Sequence, residues 1–165
     1  MTAMSVGGAL RAAILALSGP DARREAELLL GKVTGLGRAG LIAYSERALT
    51  EQEQRDWASL LDRRRSGEPI AYLLGQREFF GLALSVTSDV LIPRPETELL
   101  VELALARLPF DHAARVLDLG TGSGAIALAI ASHRTDVDVL ATDLSPAALA
   151  VAEGNAARLG TTRVR

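Results

Sequence analysis

The chain has 165 residues, 48% of them hydrophobic and 23% charged, which is typical of a globular protein of one domain or two small ones. Its formal net charge of −2 predicts no direct binding to nucleic acid through a basic surface. The absence of cysteine excludes disulfides and thiolate metal sites, and the two histidines, His112 and His133, lie in separate segments, so we expect no metal. No run approaches the ~18 apolar residues of a membrane span, and no signal peptide is evident. We expect a cytoplasmic protein.

The first part of the chain predicts a small helical bundle. Apolar residues recur at helical spacing within residues 5–17 and again in the segment that follows. A loop is expected over residues 35–40, and Thr50 with Glu53 predicts a capping box at the start of a third long helix. We assign residues 1–76 to a helical substrate-recognition domain, in which no catalytic constellation is evident.

The third long helix ends in three consecutive arginines, Arg63, Arg64 and Arg65. Cations in a last helical turn complement the helix dipole, so a solvated helix end explains them without a partner. Contact with an acidic or RNA-bearing partner remains the alternative.

Residues 77–94 predict a β-hairpin linker. Leu82, Leu84 and Val86 alternate with smaller or polar residues, which indicates a strand, and residues 90–92 are the predicted returning strand. Pro95 suits the first position of a further helix, and its predicted buried face comprises Leu100, Leu103, Ala104 and Leu108.

Residues 116–131 read V-L-D-L-G-T-G-S-G-A-I-A-L-A-I-A and predict a buried strand, a glycine-rich turn and a helix. The apolar run of the strand suits a parallel sheet that is covered on both faces. The three glycines permit a sharp turn and close approach of a ligand to bare backbone. The N–H groups and positive dipole end of the following helix favour a ligand with an anionic group.

Two cofactors are compatible with this turn. The spacing Gly120-x-Gly122-x-x-Ala125 satisfies the dinucleotide-binding fingerprint, whereas Asp118-x-Gly120-x-Gly122-x-Gly124 is the pattern of S-adenosylmethionine-binding methyltransferases. A carboxylate at Asp118 repels a pyrophosphate and favours a ligand that carries an ammonium and a sulfonium. The alternative role of Asp118 is to cap the turn by accepting hydrogen bonds from loop amides.

A second strand over residues 137–141 leads to Asp143, which lies 23 positions after Gly120. An acidic residue about 20 positions on is where a carboxylate grips a ribose diol. Ser145 and Pro146 are a cap and a first helical residue, so Asp143 itself has the alternative role of helix cap. The predicted order is that of one βαβ unit, in a partial α/β domain over residues 95–165.

Four stretches in this order resemble the release-factor glutamine methyltransferases, the PrmC/HemK family. They are residues 68–75, 79–82, 90–98 and 117–124, which read E-P-I-A-Y-L-L-G, F-F-G-L, V-L-I-P-R-P-E-T-E and L-D-L-G-T-G-S-G. The resemblance implies an α/β fold: an N-terminal helical bundle, a β-hairpin, and the first βαβ part of a class I, Rossmann-like methyltransferase domain.

The resemblance also implies an activity and site residues. The family transfers a methyl group from S-adenosyl-L-methionine to the side-chain amide of the glutamine in the Gly-Gly-Gln motif of peptide release factors. The implied cofactor-binding residues are Asp118, Gly120, Thr121, Gly122, Ser123, Gly124 and Asp143, and the implied pocket border is Arg94, Pro95, Glu96 and Thr97. The implied partners are release factors, bound by a full-length monomer.

The sequence departs from the family in one respect. It contains no Asn-Pro-Pro-Tyr motif, which in the family orients the amide nitrogen, and it reaches residue 165 where a third strand is expected to begin. We therefore assign no catalytic residue and expect the 165-residue chain to be inactive by itself. The alternatives are a non-catalytic remnant that binds release factors, a methyltransferase acting on adenine in nucleic acid, and an NAD-dependent oxidoreductase.

Overall fold

The computed structural model describes residues 4–109 and 113–165. The chain forms two compact units, Met1–Leu74 and Gly75–Arg165. Each unit has a buried apolar cluster of its own. His112, one of the two histidines considered above as a metal ligand, lies outside the described residues.

The sequence predicted a small bundle of three or four helices, and residues 4–74 form five, because residues 70–74 of the expected connector are also helical. They are α1 (Val6–Leu17), α2 (Ala22–Thr34), α3 (Arg38–Ala43), α4 (Glu51–Arg65) and α5 (Ile70–Leu74). The predicted capping box of α4 is present, because the Thr50 side chain accepts from the Glu53 N–H while the Glu53 side chain accepts from the Thr50 N–H. Helix α3 begins within the stretch predicted as a loop, since Gly35 ends α2 in a left-handed conformation and three residues then suffice for the connection.

The core of the first unit lies between the faces of its helices. Its buried residues are Val6, Ala9, Ala13, Ala26, Leu29, Leu30, Leu41, Leu49, Trp57, Leu60 and Leu73. Lys32 on α2 donates to the carbonyl oxygens of Leu73 and Leu74 at 2.9 and 3.0 Å, so it caps the end of α5.

The second unit contains a hairpin and a parallel strand pair with its helices. Its elements are β1 (Gln76–Phe79), β2 (Leu82–Ser85), a 3-10 turn (Pro95–Thr97), α6 (Glu98–Arg107), β3 (Ala114–Leu119), α7 (Ala125–His133), β4 (Val137–Thr142) and α8 (Pro146–Leu159). Strands β3 and β4 pair in parallel from Ala114 opposite Val137 to Leu119 opposite Thr142. The predicted order of strand, glycine turn, helix, strand and helix is confirmed. Residues 163–165 lie along β4, where the Arg165 N–H donates to the Val139 carbonyl at 3.0 Å.

The predicted partner of β2 was wrong. Strand β2 pairs antiparallel with β1, which precedes it, and residues 90–92 are not in a strand. The connection is a two-residue turn, Phe80 and Gly81, with φ of 51° and 77°. Such a turn matches the twist of a hairpin and lets neighbouring segments pair directly. Its sequence signal was weak because phenylalanine, and not asparagine, aspartate or glycine, occupies the first turn position.

The strand pair is covered on one face only among the described residues. Val137 and Val139 are buried, whereas Leu117, Leu119 and Leu140 are 56%, 74% and 52% exposed. The burial therefore alternates along the strands with a period of two, although the apolar run of β3 is of the kind that a sheet covered on both faces requires.

The buried face of α6 also differs from the predicted one. Val101 is fully buried, while Leu100 and Leu103 are 54% and 43% exposed. The inward stripe consists of Val101, Ala104, Leu105 and Leu108, at the spacing of one helical face. Because leucines occur all around this helix, its apolar content alone could not show which face is inward.

Candidate functional site

The turn after β3 leaves bare backbone facing open space. Gly120, Gly122 and Gly124 all have positive φ, at 75°, 55° and 81°. A Cβ added at Gly120 or Gly122 would meet no atom within 4 Å, so a ligand has room to approach there. A Cβ added at Gly124 would lie 3.0 Å from Leu128 Cδ1 and 3.3 Å from Ala152 Cβ. The absence of a side chain at the first two glycines thus permits the turn and the approach of a ligand. At the third glycine it permits close packing of the loop on α7 and α8.

Backbone hydrogen bonds hold the loop against the end of β4. The N–H groups of Gly120 and Thr121 both donate to the Thr142 carbonyl, at 2.8 and 2.9 Å. Helix α7 then begins with Gly124 as its N-cap, and no side chain caps it. Its first-turn N–H groups have no intrahelical acceptors, so this helix start is able to bind an anionic group.

Asp143, which follows β4 directly, holds the loop in place through a hydrogen bond. Its Oδ2 accepts from the Gly122 N–H at 2.9 Å, and its Oδ1 accepts from the Ser145 N–H at 2.9 Å. Hydrogen bonds from the backbone N–H groups of Ser145 and Gly122 lower the pKa of the Asp143 carboxyl, which is therefore ionised at neutral pH. The structure shows this residue bound to the loop and to the start of α8. A carboxylate retains further acceptor sites, so its contact with a ribose stays a prediction.

Asp118 is buried at the end of β3. It is 9% exposed, and its Oδ2 accepts from the Thr121 hydroxyl at 2.8 Å. This bond goes to a hydroxyl and not to a loop amide as the capping alternative supposed. Asp118 and Asp143 therefore each bond to one of two consecutive loop residues, Thr121 and Gly122, and place two carboxyl groups along the loop.

The predicted pocket border lies on a separate surface turn. Arg94, Pro95 and Glu96 are exposed, and the Thr97 N–H donates to the Arg94 carbonyl at 3.0 Å. Within residues 4–109 and 113–165, no hydrogen bond joins this turn to the glycine loop. Its role as a pocket border stays a prediction.

Asn155 on α8, which no sequence motif predicted as a site residue, is fully buried and contacts the loop. Its Nδ2 donates to the Ser123 carbonyl at 2.9 Å and to the Ser85 carbonyl at 3.0 Å, and its Oδ1 accepts from the Ser85 N–H at 2.7 Å. An asparagine in the middle of an apolar helical stripe was the available signal, since a buried amide needs partners.

The three arginines at the end of α4 are bound within the first unit. Arg63 pairs with Glu68 at 2.5 Å, Arg64 with Glu25 at 2.8 Å and Arg65 with Asp62 at 3.6 Å. Their clustering in the sequence therefore has an intramolecular explanation, which favours the helix-end interpretation over a partner contact.

A different set of arginines surrounds a groove of about 630 Å³ between α2 and the start of α3. Arg23 and Arg38 lie at the rim of this groove, with side chains 68% and 75% exposed. Each forms an ion pair with Glu27, at 3.4 and 3.2 Å. Arg24 lines the same groove and has no ion pair among the described residues, and Leu28, which is 42% exposed, adds an apolar contact surface. The groove thus combines net positive charge with apolar side chains.

Neither a membrane helix nor a metal cluster occurs in the part of the chain that the structure describes. Its helices are too short or too polar to cross a bilayer. No three histidine, cysteine, aspartate or glutamate side chains come together there in a way that would hold a metal ion.

The second unit belongs to the class I methyltransferase fold. Its parallel β–α–β arrangement, glycine loop and strand-end carboxylate are those of a nucleotide-cofactor domain. A family model described as a methyltransferase domain matches residues 110–165. The predicted fold class is confirmed.

The sequence places the chain with the release-factor glutamine methyltransferases, as the resemblance predicted. A family model described as the PrmC N-terminal domain matches residues 9–75. The release factor glutamine methyltransferase of Escherichia coli is 51% identical over 156 residues, which are 94% of this chain and 56% of the relative. That of Bordetella pertussis is 56% identical over 143 residues, which are 87% of this chain and 53% of the relative. The chain thus spans about half the length of these curated relatives.

Among solved structures, coclaurine N-methyltransferase bound to N-methylheliamine and SAH is similar, with a TM-score of 0.41 and 20% identity. The similarity covers 97% of this chain and 43% of that one, and it supports no conclusion about function.

Proposed function

We propose that this chain is the cofactor-binding and substrate-contacting part of an S-adenosylmethionine-dependent enzyme that methylates release factors. The methyl acceptor is the side-chain amide of the glutamine in their Gly-Gly-Gln motif, and the enzyme acts in the cytoplasm, where translation occurs. The observation that carries this proposal is the identity of 51% to the Escherichia coli release factor glutamine methyltransferase over 94% of the chain. That identity extends through both units.

The residues of the loop fit the proposed cofactor. The open space above Gly120 and Gly122 accommodates a ligand against backbone, and the uncapped start of α7 suits its carboxylate. The buried carboxyl group of Asp118 suits its ammonium group, and Asp143, which follows the neighbouring strand, is the proposed contact of the ribose diol. When bound, the cofactor supplies an electrophilic methyl group on its sulfonium. The residues of this chain bind it and fix its orientation.

The charge at Asp118 favours this cofactor over a dinucleotide. A pyrophosphate carries two negative charges and would meet another buried one beside the loop, an arrangement that is costly away from water. S-adenosylmethionine places positive charge at this end. The match of the second unit to a methyltransferase domain also disfavours the nicotinamide alternative.

The experiment that tests the cofactor assignment is titration of the chain with S-adenosylhomocysteine and with NADH by isothermal calorimetry. We expect binding of S-adenosylhomocysteine that NADH does not compete away. Asp118→Asn should weaken it by about tenfold, since it removes the charge that pairs with the ligand ammonium. Asp138→Asn is the matched control, because Asp138 is a half-exposed carboxylate on the neighbouring strand with an ion pair to Arg163.

Apart from an absence of S-adenosylhomocysteine binding, two results would contradict the cofactor assignment. One is competition by NADH, which would favour an oxidoreductase. The other is equal affinity in wild type, Asp118→Asn and Asp138→Asn. Affinity for a release factor without affinity for S-adenosylhomocysteine would favour the non-catalytic binding module instead.

We further propose that the first unit contacts the release factor through the groove between α2 and α3. Its net positive charge and its apolar side chains suit an acidic segment that also carries hydrophobic residues. Arg24 and Arg38 are available to such a segment, since Arg24 has no ion pair among the described residues and Arg38 has only a rim contact. The arginines at the end of α4 are already paired and are not assigned to this surface.

A further inference from the structure

Asn155 joins three segments of the second unit that are far apart in sequence. It lies on α8 and is fully buried. Its side-chain amide has two N–H donors and accepts at two positions. The donors go to the carbonyls of Ser85 and Ser123, and the oxygen accepts from the Ser85 N–H and from Arg158 at 2.7 Å each. All four positions are used, so the side chain has one well-defined orientation.

The contact with Ser85 fixes the open end of the hairpin. Both the N–H and the carbonyl of Ser85 bond to the Asn155 amide, as they would to a neighbouring strand. Ser85 is the last residue of β2 and lies opposite Gln76 of β1. The same amide also holds the Ser123 carbonyl within the glycine loop. One side chain therefore connects the hairpin directly to the loop that faces the ligand.

A second side chain fixes the tip of the hairpin. Glu98, which follows the 3-10 turn Pro95–Thr97, accepts from the Phe80 N–H at 3.1 Å. Phe80 has a φ of 51°, a conformation that non-glycine residues rarely adopt and that neighbouring contacts must maintain. Its ring also packs edge-on against His133 at the end of α7, with centroids 4.9 Å apart.

We propose that the β1–β2 hairpin is a brace for the cofactor loop, and that Asn155 and Glu98 are positioning residues that anchor its two ends. The hairpin was predicted from the sequence as a linker between domains. Its two anchors instead lead to the glycine loop and to the turn that was predicted as pocket border. The brace limits the number of conformations of the loop before a ligand binds, which raises affinity without any contact between hairpin and ligand. This inference rests on the proposed function for the identity of the ligand.

The test combines hydrogen exchange with binding of S-adenosylhomocysteine. Asn155→Asp keeps an acceptor for the Ser85 N–H but removes both donors and places a carboxylate oxygen against two carbonyls. We expect faster exchange of the amides of residues 120–125 and an affinity for S-adenosylhomocysteine about tenfold lower. Arg158→Ala is the matched control, because it removes one of the four bonds of Asn155 and leaves the bonds to Ser85 and Ser123 in place. It should leave both readouts at the wild-type value.

The other anchor provides a test that does not disturb a buried residue. Glu98→Ala removes the acceptor for the Phe80 N–H, whereas Glu98→Gln retains one. We expect Glu98→Ala to speed exchange in both the hairpin and residues 120–125, and Glu98→Gln to restore wild-type exchange. If a substitution destabilised the whole unit, amide exchange in β4 and α8 would become faster by the same factor as exchange in residues 120–125. This result in both Asn155→Asp and Glu98→Ala would overturn the proposal. So would unchanged exchange of the loop.

The two readouts separate this proposal from the proposed function. If the wild-type chain binds no S-adenosylhomocysteine, the cofactor assignment fails, while selective loss of loop protection in Asn155→Asp still supports the brace. If the wild type binds and Asn155→Asp binds equally well with a mobile loop, the brace proposal fails and the cofactor assignment stands.

Discussion

Substitution of the loop glycines by alanine should separate packing from ligand binding. At Gly124 an added methyl group would lie 3.0 Å from Leu128 Cδ1 and 3.3 Å from Ala152 Cβ, closer than carbon atoms pack at their optimal distance of about 3.5–4.0 Å. At Gly122 the same methyl group would meet nothing within 4 Å. The two positions share a positive φ, so the difference between them is one of space.

The expected losses of stability follow from the cost of a positive φ and the cost of steric overlap. A positive φ costs a non-glycine residue about 1–2 kcal/mol, and Gly122→Ala should lose about that much stability. Gly124→Ala adds the cost of forcing a methyl group into a packed site, about 1–3 kcal/mol, for a total of about 2–5 kcal/mol. Gly160→Ala is the matched control, since Gly160 has a φ of 67° with no atom within 4 Å of an added Cβ and ends α8 outside the loop.

The assay is urea unfolding with two probes. The single tryptophan, Trp57, lies in the first unit, so its fluorescence should report the same midpoint in all variants and serve as an internal control. Hydrogen exchange of peptides from residues 125–160 reports the second unit separately, which matters because a chain of two units need not unfold in one step. Gly122→Ala should match Gly160→Ala in stability but bind S-adenosylhomocysteine more weakly.

One result would contradict the packing described at Gly124, and another the assignment of Gly122 to the ligand site. If Gly124→Ala and Gly160→Ala unfold with free energies that agree within about 0.5 kcal/mol, then Leu128 and Ala152 move aside at no cost and the loop is not packed as described. Equal binding of S-adenosylhomocysteine by Gly122→Ala and wild type would remove the assignment of Gly122 to the ligand site.

Three further predictions concern the carboxylate, the groove and a helix cap. The pKa of the Asp143 carboxyl is lowered in the folded chain, so its contribution to loop stability is fully present above the unfolded pKa of about 3.9. That contribution is lost as the pH falls through the folded pKa. Hydrogen exchange of residues 120–125 should show this loss of protection in the wild type and not in Asp143→Asn. Arg38→Glu should weaken binding to a release factor in low salt by about tenfold, as measured by biolayer interferometry, while Arg55→Glu on α4 should not. Thr50→Ala should cost about 1 kcal/mol in urea unfolding followed by tryptophan fluorescence, and an unchanged midpoint would contradict the role of the capping box.

Much of the fold was predictable because its signals are local. The Thr50 capping box, the Ser145 cap and the strand–glycine–helix segment all involve partners within a few residues, so neighbouring sequence determines them. The hairpin was harder, since its turn lacks the usual residues and pairing depends on which strand is available. The buried face of α6 could not be predicted either, because leucines on several faces make the helix apolar all around.

The candidate site was predictable in part for the same reason. The glycines and the strand-end carboxylates follow a pattern of fixed spacing, and in the structure Asp118 and Asp143 each bond to a residue of the glycine loop. The hydrogen bonds by which Asp143 and Asn155 hold the loop were not predicted. Asn155 bonds to Ser85, 70 positions away, and no periodicity or spacing connects two such residues.

The sequence by itself determined the helices, the order of the β–α–β segment and the family. These depend on the preferences of individual residues and on contacts within one or two turns of chain. Only the tertiary structure decided where long-range polar groups find their partners. It pairs Arg64 with Glu25 across 39 positions and so accounts for an arginine that resembled part of a partner site. It also places the Asn155 amide within hydrogen-bonding distance of both the hairpin and the glycine loop. A buried polar group needs hydrogen-bond partners, and the packing of the core determines which backbone groups are close enough to serve.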